Sequence, residues 1–220
     1  MATAAVENYL KQVLLLSESG DELVSMGDLA GAVAVVPGTA TAMVKALADE
    51  GLLEHQPRLG VRLTSRGRRI ALNVLRKHRL VETFLVETLK MDWSKVHAEA
   101  EQLEHAVSDE VLDRLDALLG HPRQDPHGDP IPSRGGKIDS QVYATLATGP
   151  TGRRLRIVRV TEQSEEFLRF AEDSGLRPGA ELSVGERNLV SGLVTLTRPD
   201  GSTVALSVAA AGKILVEPRN

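Results

Sequence analysis

The stretch SMGDLAGAVAVVPGTATAMVKALADEGLLEHQPRLGVRL, residues Ser25 to Leu63, decides how the N-terminal part of the chain folds. Ser25 is placed to cap a short helix through Leu29 and Val33, and the Pro37-Gly38 pair opens another over Thr39 to Asp49, with Met43, Val44 and Leu47 facing inward. Gly51 closes that helix. Two short apolar stretches, Leu52 to Glu54 and Val61 to Leu63, flank HQPRLG (His55 to Gly60) and predict a hairpin with an Arg-bearing tip. Upstream, Val6, Tyr9, Leu10, Val13, Leu14 and Leu16 recur at helical spacing, with a turn signal at Gly20 and Asp21.

Helix, helix, turn, helix, hairpin is the order of a winged helix-turn-helix. Downstream, Thr64 or Ser65 caps a long helix to about Leu89, Ser94 caps another over Lys95 to Val107, and Ser108 caps a third that stops at Gly120. HPRQDPHGDPIPSRGG (His121 to Gly136) holds four prolines and three glycines and predicts a linker. Beyond it, alternating stretches at Leu155 to Val160, Glu181 to Val184, Leu193 to Leu196, Thr203 to Leu206 and Ile214 to Val216 are broken by turns such as RPDG (Arg198 to Gly201). With one helix, Ser164 to Asp173, they predict a small β-barrel. The expectation is an α+β chain in four parts: 1–72 for DNA binding, 73–120 helical, 121–141 linker, and 142–220 barrel.

The 220 residues, 42% of them hydrophobic, supply more than one small core. No apolar run approaches the roughly 18 residues of a spanning helix, and Glu7, Lys11 and Glu18 interrupt the first 20, so a cytoplasmic protein without a membrane partner is expected. The absence of cysteine excludes disulfides, thiolate metal sites and cysteine nucleophiles. Six aromatic residues are too few for base-stacking platforms, which argues against single-stranded nucleic acid. Residues 55 to 81 carry eight bases and no acid, whereas residues 82 to 119 carry ten acids against three bases. The first stretch suits a polyanion and the second a cation.

His97, Glu101, Glu104 and His105 fall within a helical stripe about 100° wide, beside the apolar residues Val96, Leu103 and Val107. His78 and Glu82 form a second i, i+4 pair. His97 and His105 lie roughly 12 Å apart along a helix axis, too far to share one ion comfortably, so two sites are expected. His121 and His127 read as turn residues of the linker, His55 has no partner at ligand spacing, and Glu99 reads as a solvated charge.

RKHRLVETFLVETLKMDWSKVHAEAEQLEHAVSDEV (Arg76 to Val111), followed by DPHGDPIP (Asp125 to Pro132), closely resembles the diphtheria-toxin-repressor and manganese-transport-regulator family of metal-dependent transcriptional regulators. The resemblance covers the whole chain and implies the three-domain type: a winged helix-turn-helix, a helical dimerisation domain and an SH3-like, FeoA-like third domain. It implies a primary metal site of Asn8, Glu101, Glu104 and His105. Glu101 stands where iron-sensing members have Cys; Asn8 stands where they have Met and manganese sensors have Asp. It implies an ancillary site of His78, Glu82 and His97 completed by Gln163 and Glu166, with Glu165 as the rival. Two-domain manganese sensors use a first-helix Glu for a different second site, and this chain has Lys11 there. The hard donor set favours Mn²⁺ over Fe²⁺, at two sites per subunit.

For DNA, the helix opening at Pro37 offers Pro37, Gly38, Thr39, Thr41 and Ala42 to the major groove. These side chains are small, so affinity is expected from phosphate contacts by Lys45, Arg58 and Arg62, on a palindromic double-stranded operator bound by a homodimer. A metallohydrolase is disfavoured because the chain has no His-Glu-x-x-His motif or nucleophile elbow. A winged-helix regulator sensing an organic ligand would leave these His and Glu residues as surface charges.

Overall fold

A computed structural model describes residues 3–17, 22–138, 141–188 and 190–219. The turn expected at Gly20 and Asp21 lies outside the described residues. The chain divides into two compact units: Met1–His78, Gln102–Asp109 and Pro132–Ile138 form one, and Arg79–Glu101, Glu110–Ile131 and Asp139–Asn220 the other. Among the described residues no single helix is long and apolar enough to cross a membrane.

In the first unit α1 (Ala4–Leu16) starts at Thr3, whose hydroxyl accepts from Val6 N. It buries Tyr9, Leu10 and Val13 along one stripe. α2 (Met26–Ala32) is capped by Ser25, which accepts from Asp28 N at 3.1 Å. α3 (Pro37–Asp49) has no side-chain cap; Pro37 begins it, with φ already set and no N–H to satisfy. β1 (Leu53–Gln56) and β2 (Gly60–Leu63) pair antiparallel, His55 opposite Val61 and Gln56 opposite Gly60. The connection is therefore three residues long rather than the expected six, because the ladder continues through His55 and Gln56. Arg58 turns it with φ +69. Val24 exchanges both backbone hydrogen bonds with Val61 as a short third strand, and a Cβ on Gly60 would meet the Val24 carbonyl. Tyr9, Leu10, Val13, Leu29, Val44, Leu47 and Val61 share one core.

α4 (Ser65–Glu87) is capped by Thr64 rather than Ser65: Thr64 Oγ1 accepts from Gly67 N at 3.1 Å. α5 (Val96–Leu103) is shorter than expected at both ends. It begins after an Asp92 turn, where Asp92 Oδ1 accepts from Ser94 N and Ser94 Oγ, so Asp92 and not Ser94 supplies the acceptor. It ends before Glu104, which with His105 lies in a turn closed by Ala106 N donating to Leu103 O. Glu104 and His105 are thus not on a helical stripe with His97 and Glu101. α6 (Asp109–Leu118) ends ahead of Gly120 at φ +73.

The second unit carries β3 (Ala144–Thr145), β4 (Arg154–Val160), α7 (Glu165–Asp173), β5 (Glu181–Asn188), β6 (Leu193–Thr197), β7 (Thr203–Ser207), α8 (Val208–Ala211) and β8 (Ile214–Pro218). The strands form one antiparallel sheet in the order β3-β8-β4-β5-β6-β7, with register shifts at Ile157/Arg159 and Val184/Arg187. Trp93, Leu155, Ile157, Leu168, Leu196 and Val216 belong to its core.

Residues 121–138 form no helix or strand, yet Asp125, His127, Asp129 and Ile131 are buried. Asp125 Oδ1 accepts from His127 N and Asp129 N, folding DPHGD into a tight turn. Val160 N donates to His127 O, which pins this turn along β4. Gly128, at φ +88, lies so close to the Val158 carbonyl that a Cβ would not fit.

Candidate metal centres and nucleic-acid interface

In the first unit, α1 faces the Glu104–His105 turn. His105 Nδ1 lies 2.6 Å from Glu7 Oε2, and its Nε2 lies 2.9 Å from Asn8 Oδ1 and 3.4 Å from Glu104 Oε1. Glu104 is fully buried; its Oε1 accepts from Lys11 Nζ at 2.6 Å and its Oε2 lies 2.6 Å from His78 Nδ1. Of the four ligands that the resemblance implies for the primary site, Asn8, Glu104 and His105 are brought together and Glu7 joins them, whereas Glu101 lies 3.7 Å from His97. Glu7 and His105 also line a cleft of about 760 Å³ with Arg66, Arg69 and Lys77, a route from solvent to the cluster. Its donors are carboxylate and amide oxygens and imidazole nitrogens, a hard set that fits a divalent first-row ion.

In the second unit, Glu82, Asp125 and His127 are all buried, and one ligand atom from each lies within 4.8 Å of the others. His127 Nε2 is 2.9 Å from the Trp93 carbonyl oxygen, which can only accept, so Nε2 carries the proton. Nδ1 has no hydrogen-bond partner among the described residues and lies 3.8 Å from Glu82 Oε2 and 4.0 Å from Asp125 Oδ1. A ring nitrogen facing two carboxylates calls for positive charge between them, which a divalent ion supplies, and the backbone carbonyl behind the ring leaves Nδ1 as the nitrogen that can ligate. Burial, and then the charges of Asp129 and Glu82, push the Asp125 carboxyl well above the ordinary range. The Arg79 guanidinium, 3.6 Å from Asp125, offsets this only in part. His97 is half exposed, with Nδ1 3.2 Å from Glu82 Oε1 and Nε2 3.7 Å from Glu101 Oε1.

The remaining expected ligands have other surroundings. Gln163 donates its amide to Asp129 Oδ2 at 2.6 Å. Glu166 is exposed on α7 and lines a surface groove with Glu165, Arg169 and Asp173. Sequence reading passed over Glu7, Asp125 and His127. The available signal was the Asp-x-His spacing inside DPHGD, masked by prolines that mark loops.

The charged runs are not single faces either. Arg76 and Arg79 are buried: Arg76 donates to Pro132 O, and Arg79 donates to Pro130 O and lies 3.6 Å from Asp125. They hold the 121–138 segment instead of meeting a polyanion. On α3, Pro37, Gly38, Thr39, Ala42 and Lys45 are exposed, and Thr41 spends its hydroxyl on Pro37 O at 2.8 Å. Arg58 is exposed at the wing tip, while Arg62 is paired with Glu54 at 2.7 Å.

Residues 1–61 match the family description "Iron dependent repressor, N-terminal DNA binding domain", residues 64–133 "Iron dependent repressor, metal binding and dimerisation domain", and residues 144–218 "FeoA domain". Iron-dependent repressor IdeR of Mycobacterium tuberculosis H37Rv is 31% identical over 192 residues, covering 81% of this chain and 82% of the relative. This chain belongs to the iron-dependent repressor family. The diphtheria toxin repressor of Corynebacterium diphtheriae is 32% identical over 190 residues, covering 81% of this chain and 82% of the relative. A solved manganese-dependent transcriptional repressor in complex with manganese superposes with a TM-score of 0.87 at 38% identity, covering 97% of this chain and all of that one. ScaR with bound Zn²⁺ gives 0.79 at 33% identity, covering 96% and 98%. The chain is accordingly a metal-dependent, DNA-binding transcriptional repressor with a dimerisation domain, not an enzyme.

Proposed function

We propose that this repressor responds to Mn²⁺ in the cytoplasm, as a homodimer on a palindromic operator, with two metal sites per subunit. One site draws on Glu7, Asn8, Glu104 and His105; the other on Glu82, Asp125 and His127, with His97 beside it. The unpartnered Nδ1 of His127, facing two buried carboxylates, carries the reading, because one divalent ion among the three would satisfy the ring nitrogen and both carboxylates at once. A bound divalent ion supplies compact positive charge at each cluster. The chain's residues do the rest: Glu7 and Asn8 tie α1 to the Glu104–His105 turn, favouring one arrangement of the DNA-binding unit over others. On DNA, Thr39, Thr41 and Ala42 read shape and thymine methyl groups, Lys45 and Arg58 hold phosphates, and Arg62 joins them on leaving Glu54.

Manganese is favoured by donor sets without sulfur and by the manganese-dependent repressor of the same fold. Iron is the second reading, favoured by the names of the relatives at 31% and 32% identity. Anaerobic operator binding titrated with Mn²⁺ and with Fe²⁺, alongside metal counting on wild type and His127→Ala, tests both. Two equivalents of Mn²⁺ in the wild type, one in the variant, and an operator shift that chelator abolishes are expected. Activation by iron alone, or a shift indifferent to chelator, refutes the proposal.

A further inference from the structure

Lys11 sits inside the first cluster with a side chain only 1% exposed, against a carboxylate, Glu104, that is 0% exposed. Lysine is among the residues least often buried, and it persists there when a carboxylate compensates its charge. Here Nζ is 2.6 Å from Glu104 Oε1, while Glu104 Oε2 lies 2.6 Å from His78 Nδ1. Glu7 and Lys11 are four residues apart on α1, so the same helical face carries Asn8 and Glu7 toward His105 and an ammonium toward Glu104. The cluster thus contains a cation of its own, covalently attached and held on one oxygen of a proposed ligand.

We infer that Lys11 is a resident cation that sets the metal affinity of this cluster: it neutralises Glu104 in the metal-free protein and opposes a divalent ion that shares that carboxylate. The inference rests on the metal-site reading above. An ion bound to Oε1 at about 2.2 Å would stand within about 5 Å of Nζ, where like charges repel strongly even at an effective dielectric constant of about 20. The ammonium also fills the side of Glu104 that a second ion would need, so the cluster takes one ion. The consequence for regulation is a raised threshold. The repressor stays metal-free until the free ion concentration overcomes a charge it already holds.

Lys11→Gln removes the charge and keeps a donor for Glu104; Lys11→Arg keeps the charge. Full-length wild type, both variants and Glu104→Ala are titrated with Mn²⁺ alone, following free ion by electron paramagnetic resonance and unfolding by calorimetry with and without metal. The Glu104-dependent site should bind Mn²⁺ at least about 10-fold tighter in Lys11→Gln and within about 3-fold of wild type in Lys11→Arg. Lys11→Gln should also unfold at a lower temperature without metal and gain more from adding it. Unchanged or weaker binding in Lys11→Gln overturns the inference. So does failure of that variant to fold with Mn²⁺ present, which would make Lys11 purely structural; folding only with Mn²⁺ supports it. If wild type binds no Mn²⁺, or Glu104→Ala binds like wild type, the metal-site reading itself fails.

Discussion

Replacing Gly128 by alanine tests whether the DPHGD turn is held in place by its packing on β4. Two costs add at this position. The first is conformational: φ is +88, and a left-handed residue with a Cβ costs about 1–2 kcal/mol. The second is steric. A Cβ would collide with the Val158 carbonyl and the Arg159 backbone, neither of which belongs to a flexible side chain. The turn must move off β4, giving up the hydrogen bond from Val160 N to His127 O, about 1 kcal/mol, and disturbing the Asp125 contacts behind it. Together these come to about 2–3 kcal/mol, or a melting temperature lower by about 8 °C at 2–4 °C per kcal/mol. Gly120→Ala is the control: φ is +73 but nothing lies within 4 Å, so only the conformational cost applies, about 4 °C. Trp93, the only tryptophan, is buried and stacked on His127 with ring centroids 5.4 Å apart, so its fluorescence reports this region directly. The expected result is a large loss with red-shifted Trp93 emission in Gly128→Ala and a small loss with unchanged emission in Gly120→Ala. Equal losses in the two variants, or an unshifted Trp93, would refute the reasoning.

Two further outcomes follow from the helical segment. Hydrogen bonds from the Ser94 backbone and hydroxyl hold the Asp92 carboxyl below its usual range, so its contribution is present above the unfolded-state pKa of about 3.9 and is lost as pH falls through the lower folded value; Asp92→Ala should therefore destabilise most at pH 7 and progressively less as pH falls below about 3.9, by urea unfolding at each pH. Leu118 is 66% exposed and Val111 is exposed beside it on α6, more apolar surface than a solvated helix carries without cause; Leu118→Glu should shift sedimentation from dimer to monomer at micromolar concentration, and an unchanged dimer would place the interface elsewhere.

What the sequence disclosed and what it hid divide along a physical line. Local signals were legible: Ser25 and Thr64 as caps, Pro37 at a helix start, Gly51 and Gly120 at helix ends, and the alternation of β4 to β8 all depend on residues within four positions of one another. The site was half legible. Glu104, His105 and Asn8, which the resemblance groups with Glu101, lie together without it, and helical geometry alone could not show that α5 stops at Leu103, because the turn that follows faces α1 some ninety residues away. Burial of charge was the least legible feature. Arg76 and Arg79 look like a polyanion-binding run and instead bond to Pro132 and Pro130 carbonyls, and His127 looks like a turn residue because its neighbours are prolines. Polar groups at such positions are satisfied by partners distant in sequence, which no periodicity encodes.

The two clusters differ in what they can move. Glu82, Asp125 and His127 lie within a unit dominated by a six-stranded sheet, where the DPHGD turn is already fixed by Val160, so charge neutralisation there acts mainly on stability. Glu7 and Asn8 instead project from α1, whose Tyr9, Leu10 and Val13 share a core with Leu29 of α2 and with Val44 and Leu47 of α3. That core joins α1 to the helix whose exposed N-terminus carries Gly38 and Thr39, so on the proposed reading a shift of α1 at Glu7 and Asn8 is felt there. On the proposed reading, regulation therefore belongs to the first cluster. Lys11, two residues from Tyr9 on that same helix, is placed where a small change of charge is felt by the whole DNA-binding core.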